Sequence, residues 1–182
     1  MRVATLLTIA AGVAIAEGID SATGLSPQLK WPNDVLVADR GGAGARKLAG
    51  ILCEGAASGA SARWVVVGFG INVLPAAYPP QVAAGATSLE VELGRHVDRA
   101  LVLAECLRAL TTRYEELKAG RAREVIEAWR SRAALMIGRR VEWESDGRVL
   151  RGAARDIDEN GALIVSGEQG MVRVMSGEVR WL

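Results

Sequence analysis

Three short segments lie between Lys30 and Asn72: Lys30-Trp31-Pro32-Asn33-Asp34, Arg46-Lys47-Leu48-Ala49-Gly50-Ile51-Leu52-Cys53-Glu54, and Gly68-Phe69-Gly70-Ile71-Asn72. In the first, Leu29-Lys30-Trp31 starts a strand that Pro32 interrupts and Val35-Leu36-Val37 resumes. Proline lacks an N–H and is kept out of central strands, so this position is an edge, a bulge or the rim of a site. A break here would aim an amine, an amide and a carboxylate into one cleft; the plainer reading is an edge kink followed by an Asx-type turn. In the second segment a lysine stands just inside a strand, where it can lie on a site floor as a compact charge for phosphate or carboxylate. Gly50, beside it, lets a ligand approach the backbone. The third segment follows a strand and carries Gly-x-Gly. The dinucleotide fingerprint needs a third glycine and an immediate helix. Val73 and Pro75 supply neither, which leaves a glycine-lined wall and Asn72 with a donor and an acceptor.

Outward from these segments, Lys47–Glu54 and Trp64–Val67 read as strands joined through the small-residue tract Ala56–Ala62, giving an antiparallel meander. Asp39–Ala45 reads as a flexible turn, and Pro75–Thr87 as an irregular loop. Upstream, Leu6, Ile9, Ala10, Val13 and Glu17 recur at spacings of three and four and predict a helix over 3–18 ended by Gly18. The same run ends Ala14-Ile15-Ala16 and has the look of a signal peptide. It is too short to span a bilayer, and a core helix is the preferred reading. Downstream, Val97, Leu101, Cys106, Leu107, Leu110, Tyr114 and Leu117 predict an amphipathic helix over 96–119, ended by Gly120. A shorter helix follows over 122–132. The period then falls to two, with turn signals at Asp146-Gly147, Asn160-Gly161 and Gln169-Gly170, and four or five short strands form a small barrel or sandwich. The fold class is α+β, divided into residues 1–135 and 136–182.

Composition bounds the function. The chain has 182 residues, half of them hydrophobic, with 22 basic and 21 acidic residues for a net charge of +1. A dominant electrostatic hold on nucleic acid or on an anionic membrane is excluded, so neither is expected as a partner. Two cysteines, Cys53 and Cys106, exclude a disulfide scaffold and a cysteine-built zinc site, and fit a reducing, cytoplasmic setting. His96 is the single histidine, which leaves little for histidine-dependent chemistry. Of the 22 basic residues only Lys30, Lys47 and Lys118 are lysine. In so arginine-rich a chain, a retained lysine stands out, because the two cations are not interchangeable.

In this order and at these spacings, the three segments resemble the biotin protein ligases, also called biotin–[acetyl-CoA-carboxylase] ligases. The family pattern runs K-W-P-N-D, then R/K-K-L-A-G-I-L-x-E, then a strand ending G-x-G-I-N. Gly161-Ala162-Leu163 and Ser176-Gly177-Glu178-Val179 also resemble the family's C-terminal domain. The resemblance implies a catalytic domain related to class II aminoacyl-tRNA synthetases and lipoate ligases, followed by a small SH3-like β-barrel. It implies ATP and biotin as substrates with Mg²⁺, biotinoyl-5′-AMP as intermediate, and a lysine of a biotin carboxyl carrier domain as acceptor. Carried over by position, Lys47 is the catalytic cation at the biotin carboxylate and α-phosphate. Gly50, Ile51, Leu52, Gly68 and Gly70 line the biotin pocket, and Asn72 meets the adenine. Asn33 and Asp34 sit beside the phosphates, with Asp34 a candidate for orienting Mg²⁺ or the acceptor lysine.

The chain departs from the pattern in one place. Family members carry, upstream of the first helix, a strand with Ser-Thr and then Q-x-x-G-R-G-R-x-G-R, which closes over the adenylate; no such segment occurs in these 182 residues. About the first third of a usual catalytic domain is thereby expected to be missing, by a true truncation or by a start assigned at an internal methionine. The 182 residues are expected to be impaired, and an exposed sheet edge is expected to invite pairing with a second copy. The alternative is a non-catalytic remnant or interaction module that binds a carrier domain or nucleotide weakly.

Overall fold

The structure is a computed structural model that describes residues 2–39, 44–58, 61–76, 78–145, 147–168 and 170–182. Helix α1 (Arg2–Thr23) is followed by strands β1 (Gln28–Lys30), β2 (Asp34–Ala38), β3 (Ala45–Ser58) and β4 (Ser61–Ile71). These form an antiparallel meander in the order β1-β2-β3-β4. Four helices come next: α2 (Pro80–Ala83), α3 (Leu89–Leu93), α4 (Arg99–Lys118) and α5 (Ala122–Ser131). A second antiparallel sheet closes the chain, with β5 (Arg140–Ser145), β6 (Arg148–Ile157), β7 (Leu163–Gly167), β8 (Gly170–Val174) and β9 (Val179–Trp181) in the order β8-β7-β6-β5-β9.

Helix α1 is apolar nearly all round because it is enclosed nearly all round. Every residue from Ile9 to Ala16 is buried, and the helix packs on β3, α4 and α5. Thr5–Thr23 is long and apolar enough to cross a membrane, yet here it is the centre of the core. Gly18 does not end it, contrary to the sequence reading. A Cβ on Gly18 would lie 2.5 Å from Cys106 Cα, so Gly18 is where α1 and α4 meet backbone to backbone. The helix stops six residues later, at Gly24, whose φ of +78° suits glycine.

That contact also reorganises α4. Its buried residues are Val102, Cys106 and Ala109, the small face that fits against α1. Leu101, Leu107 and Tyr114, expected on the apolar stripe, are close to half exposed. The Asp98 carboxylate caps α4, accepting from the N–H groups of Ala100 (2.8 Å) and Leu101 (3.3 Å). Asp98→Ala is expected to cost about 1 kcal/mol of stability, read as a lower urea midpoint; an unchanged midpoint would mean the cap contributes nothing.

The Trp31–Pro32 break does not interrupt one strand. The chain reverses there, and β1 pairs with β2 in antiparallel register, Lys30 opposite Asp34. β1 is the edge of the meander, where a neighbouring proline is tolerated. Trp31 is 1% exposed; its indole N–H donates to the Gly161 carbonyl (2.9 Å), and its backbone N–H points to Met136 Sδ at 3.1 Å. The tight turn is thus held from the C-terminal sheet. The expected Ala56–Ala62 connection is mostly strand, since β3 and β4 pair out to Ser58↔Ser61. The expected loop after Pro75 contains one short helix, α2. The turn readings at 40–43, Asp146 and Gln169 fall outside the described residues. One buried cluster runs from Ile9 and Leu48 through Trp129 and Met136 to Val141, Leu163 and Val179, so a single core spans both sheets.

Candidate active-site cleft

The register of the meander brings the three segments into one row. Lys30 pairs with Asp34, Asp34 with Gly50, and Gly50 with Gly70, one residue from each of four adjacent strands. Residues directly opposite in a sheet share a face, so Asp34, Gly50 and Gly70 present themselves to the same side. That side is a cleft of about 800 Å³. Its floor is Lys30, Asp34, Lys47, Gly50, Gly70 and Asn72. Gln81, Val82, Gly85 and Ala86 form one wall, and Glu178 and Trp181 of the C-terminal sheet stand opposite the floor's Lys30 end.

Glycine leaves this floor bare. A Cβ on Gly70 would meet nothing within 4 Å, and one on Gly50 would lie 3.3 Å from Lys47 Nζ. Lys47 Nζ is 2.5 Å from Asp34 Oδ1, and Lys30 Nζ is 3.9 Å from Asp34 Oδ2. Two ammonium groups therefore share the Asp34 carboxylate, and Glu178 is the second acid that lines the cleft. The side chain of Lys47 is 48% exposed, within reach of a bound anion. Lys30 also lies over the Trp181 ring (5.5 Å), which Arg139 covers at 4.7 Å.

Of the residues singled out by sequence, Lys47, Asp34, Gly50, Gly70 and Asn72 line the cleft. Three others do not, along with Asn33. Ile51 is 2% exposed in the core, because side chains alternate along a strand and Gly50 faces out. Leu52 and Gly68 pair with each other two residues along the open face, where Leu52 is 59% exposed. The Asn33 side-chain amide donates to the Ile51 carbonyl (2.8 Å), and the Asn33 backbone carbonyl accepts from the Ile51 N–H (2.9 Å). Asn33 thus ties the tight turn to β3. The Asn72 amide donates to the Thr87 carbonyl (3.0 Å), which fixes it on the rim.

Trp181 and Glu178 line the cleft too, although the sequence reading gave neither a site role, and Lys30 lines it beside them. Lys30 supplies the amine that the break at Pro32 was expected to aim into a cleft, so two of the three lysines stand here, while Lys118 pairs with Glu115 on α4. His96 is far from it in role, exposed and paired with Glu90 (2.6 Å).

Both Asp34 oxygens face lysines, and among the described residues no group of three or more His, Cys, Asp or Glu side chains could hold an ion.

Residues 2–72 match the family described as Biotin/lipoate A/B protein ligase family, and residues 136–180 match the Biotin protein ligase C terminal domain. The chain is 32% identical over 175 residues to the bifunctional ligase/repressor BirA of Bacillus subtilis, covering 95% of this chain and 52% of the relative. It therefore spans about half the length of that relative. The biotin protein ligase of Aquifex aeolicus in complex with biotin and ATP superposes with a TM-score of 0.80 at 26% identity, over 98% of this chain and 71% of that one. With the biotin–[acetyl-CoA-carboxylase] ligase of Paracoccus denitrificans the identity is 33% over 181 residues, covering 97% of this chain and 72% of the relative. A match of that length, with lysine, carboxylate and glycines brought together in one cleft, makes the chain a member of the biotin protein ligase family.

Proposed function

We propose that this cleft joins biotin to ATP and passes the biotinyl group to a lysine of a biotin carboxyl carrier domain. A carboxylate oxygen of biotin attacks the α-phosphorus, the bond to the β-phosphate bridge breaks, and pyrophosphate leaves. The acceptor amine then attacks the acyl carbon, AMP departs with the carbon–oxygen bond electrons, and the amine loses a proton. The observation that carries this reading is the register row that sets Lys47 and Asp34 beside a bare floor at Gly50 and Gly70. Lys47 neutralises charge as it grows on the attacked phosphate, the largest single kind of catalytic contribution. Asp34 holds the lysine amine in place, and the glycines leave room for the biotin ring system. Asn72 and the 81–86 wall take the adenine side. Mg²⁺ arrives with the nucleotide substrate in this reading.

In the same reading the meander with its helices is the class II synthetase-like layer, residues 1–135. The second sheet is the SH3-like barrel, residues 136–182, and it contributes Glu178 and Trp181 to the cleft. The enzyme is cytoplasmic. Pairing of two copies uses the edge of β4.

The test is labelling of a carrier domain by the full-length protein with biotin and MgATP, read by streptavidin blot, alongside biotin-dependent ATP–pyrophosphate exchange. Labelling with exchange is expected. Neither, from folded protein, would leave the non-catalytic carrier-binding or nucleotide-binding module in its place.

A further inference from the structure

Thr87 is the point at which Lys47, Asn72, Tyr78 and Glu92 meet. Its N–H donates to the Lys47 carbonyl (2.9 Å), and its carbonyl accepts from the Asn72 amide (3.0 Å) and the Tyr78 hydroxyl (3.2 Å). Its hydroxyl donates to Glu92 Oε1. The same oxygen takes the Arg46 guanidinium at 2.8 Å, and Arg46 is the residue before Lys47. The Lys47 N–H in turn donates to the Gly85 carbonyl (2.7 Å), so Lys47 is bonded on both sides of its peptide to the segment that ends in Thr87. Thr87 is 2% exposed and the Glu92 side chain 5%. A buried carboxylate is costly unless it is well bonded, and here the bonds that compensate it run to both ends of the Lys47 strand contact.

We propose that Thr87 and Glu92 form a buried latch that positions Lys47 and Asn72 relative to each other across the cleft. The two are positioning residues, because neither lines the cleft; they act through the backbone of Lys47 and the amide of Asn72. The latch is separate from the glycines of the floor. Gly50 and Gly70 are held by the β3–β4 ladder, which Thr87 does not touch. The latch deepens the ligase reading by assigning these residues to the nucleotide side.

Three variants of the full-length protein test it: Thr87→Val, Glu92→Gln and Thr87→Ser. The first readout needs no activity. Thr87→Val and Glu92→Gln are expected to speed backbone amide exchange at Lys47 and Thr87 by about tenfold, the scale of one buried charge-assisted bond. Gly50 and Gly70 amides should stay protected, and Thr87→Ser, which keeps the hydroxyl, should match the parent. The second readout is ATP–pyrophosphate exchange. KM for ATP should rise by about tenfold in Thr87→Val and Glu92→Gln, and by more than KM for biotin, because Lys47 faces both substrates and Asn72 the nucleotide alone. Unchanged exchange at Lys47, or loss of protection at Gly50 and Gly70 together with Lys47, overturns the latch. So does an equal rise in both KM values. A parent protein without exchange activity overturns the ligase reading alone, and the Lys47 amide still decides the latch.

Discussion

Lys47→Ala is expected to lower biotinoyl-adenylate formation by about a hundredfold to a thousandfold, the effect of removing one preorganised charge-stabilising group. Two causes add. The cation at the α-phosphate is lost, and Asp34 is left with Lys30 alone, 3.9 Å away. The carboxylate then faces the incoming phosphates with less compensation, so the local field changes against the anion. Lys47→Arg should fail in large part too. A compact ammonium fits 2.5 Å from Asp34 above the Gly50 floor, whereas a planar guanidinium is larger and would pair with Asp34 through its fork. Because the Lys47 side chain is about half exposed, stability should hardly move. Pyrophosphate release at saturating substrates is the measurement; a parent-like rate from Lys47→Ala would remove this residue from the chemistry.

Gly18→Ala is expected to destabilise the fold although alanine is the better helix former. The added Cβ would lie 2.5 Å from Cys106 Cα and 2.6 Å from its backbone nitrogen, atoms that cannot swing aside. Helices α1 and α4 must separate or tilt. Overpacking of this kind costs up to about 3 kcal/mol, and the gain in helix propensity returns about 1 kcal/mol, so a net loss of about 2 kcal/mol is expected. Urea unfolding followed by circular dichroism reads it. A raised midpoint would mean that α1 and α4 do not approach this closely. As α1 also lies under β3, the same variant should loosen the cleft floor, seen as a parallel fall in ligand binding.

Sequence alone determined the β2–β4 part of the meander, the α+β class and five of the cleft residues. A strand periodicity of two, proline and glycine punctuation and the order of three segments are local signals, and they survive folding. The alternation that placed Gly50 in the cleft also placed Ile51 in the core, so that part of the site was legible and could have been read more strictly. Tertiary structure decided the rest. Gly18 carries the same letter as a helix terminator and as a helix–helix contact; only the arrival of Cys106, from beyond the whole first sheet, tells them apart. Leu101 and Leu107 have helical spacing, but which side of α4 is buried depended on where the small residues let α1 come near. Trp31 needed the Gly161 carbonyl, 130 residues away, before its turn had an anchor. Lys30 and Trp181 became neighbours because both sheets share one core. A sequence records the periods and propensities of each element, whereas contacts between distant elements are set by the packing of all of them at once, and the cleft is built from such contacts.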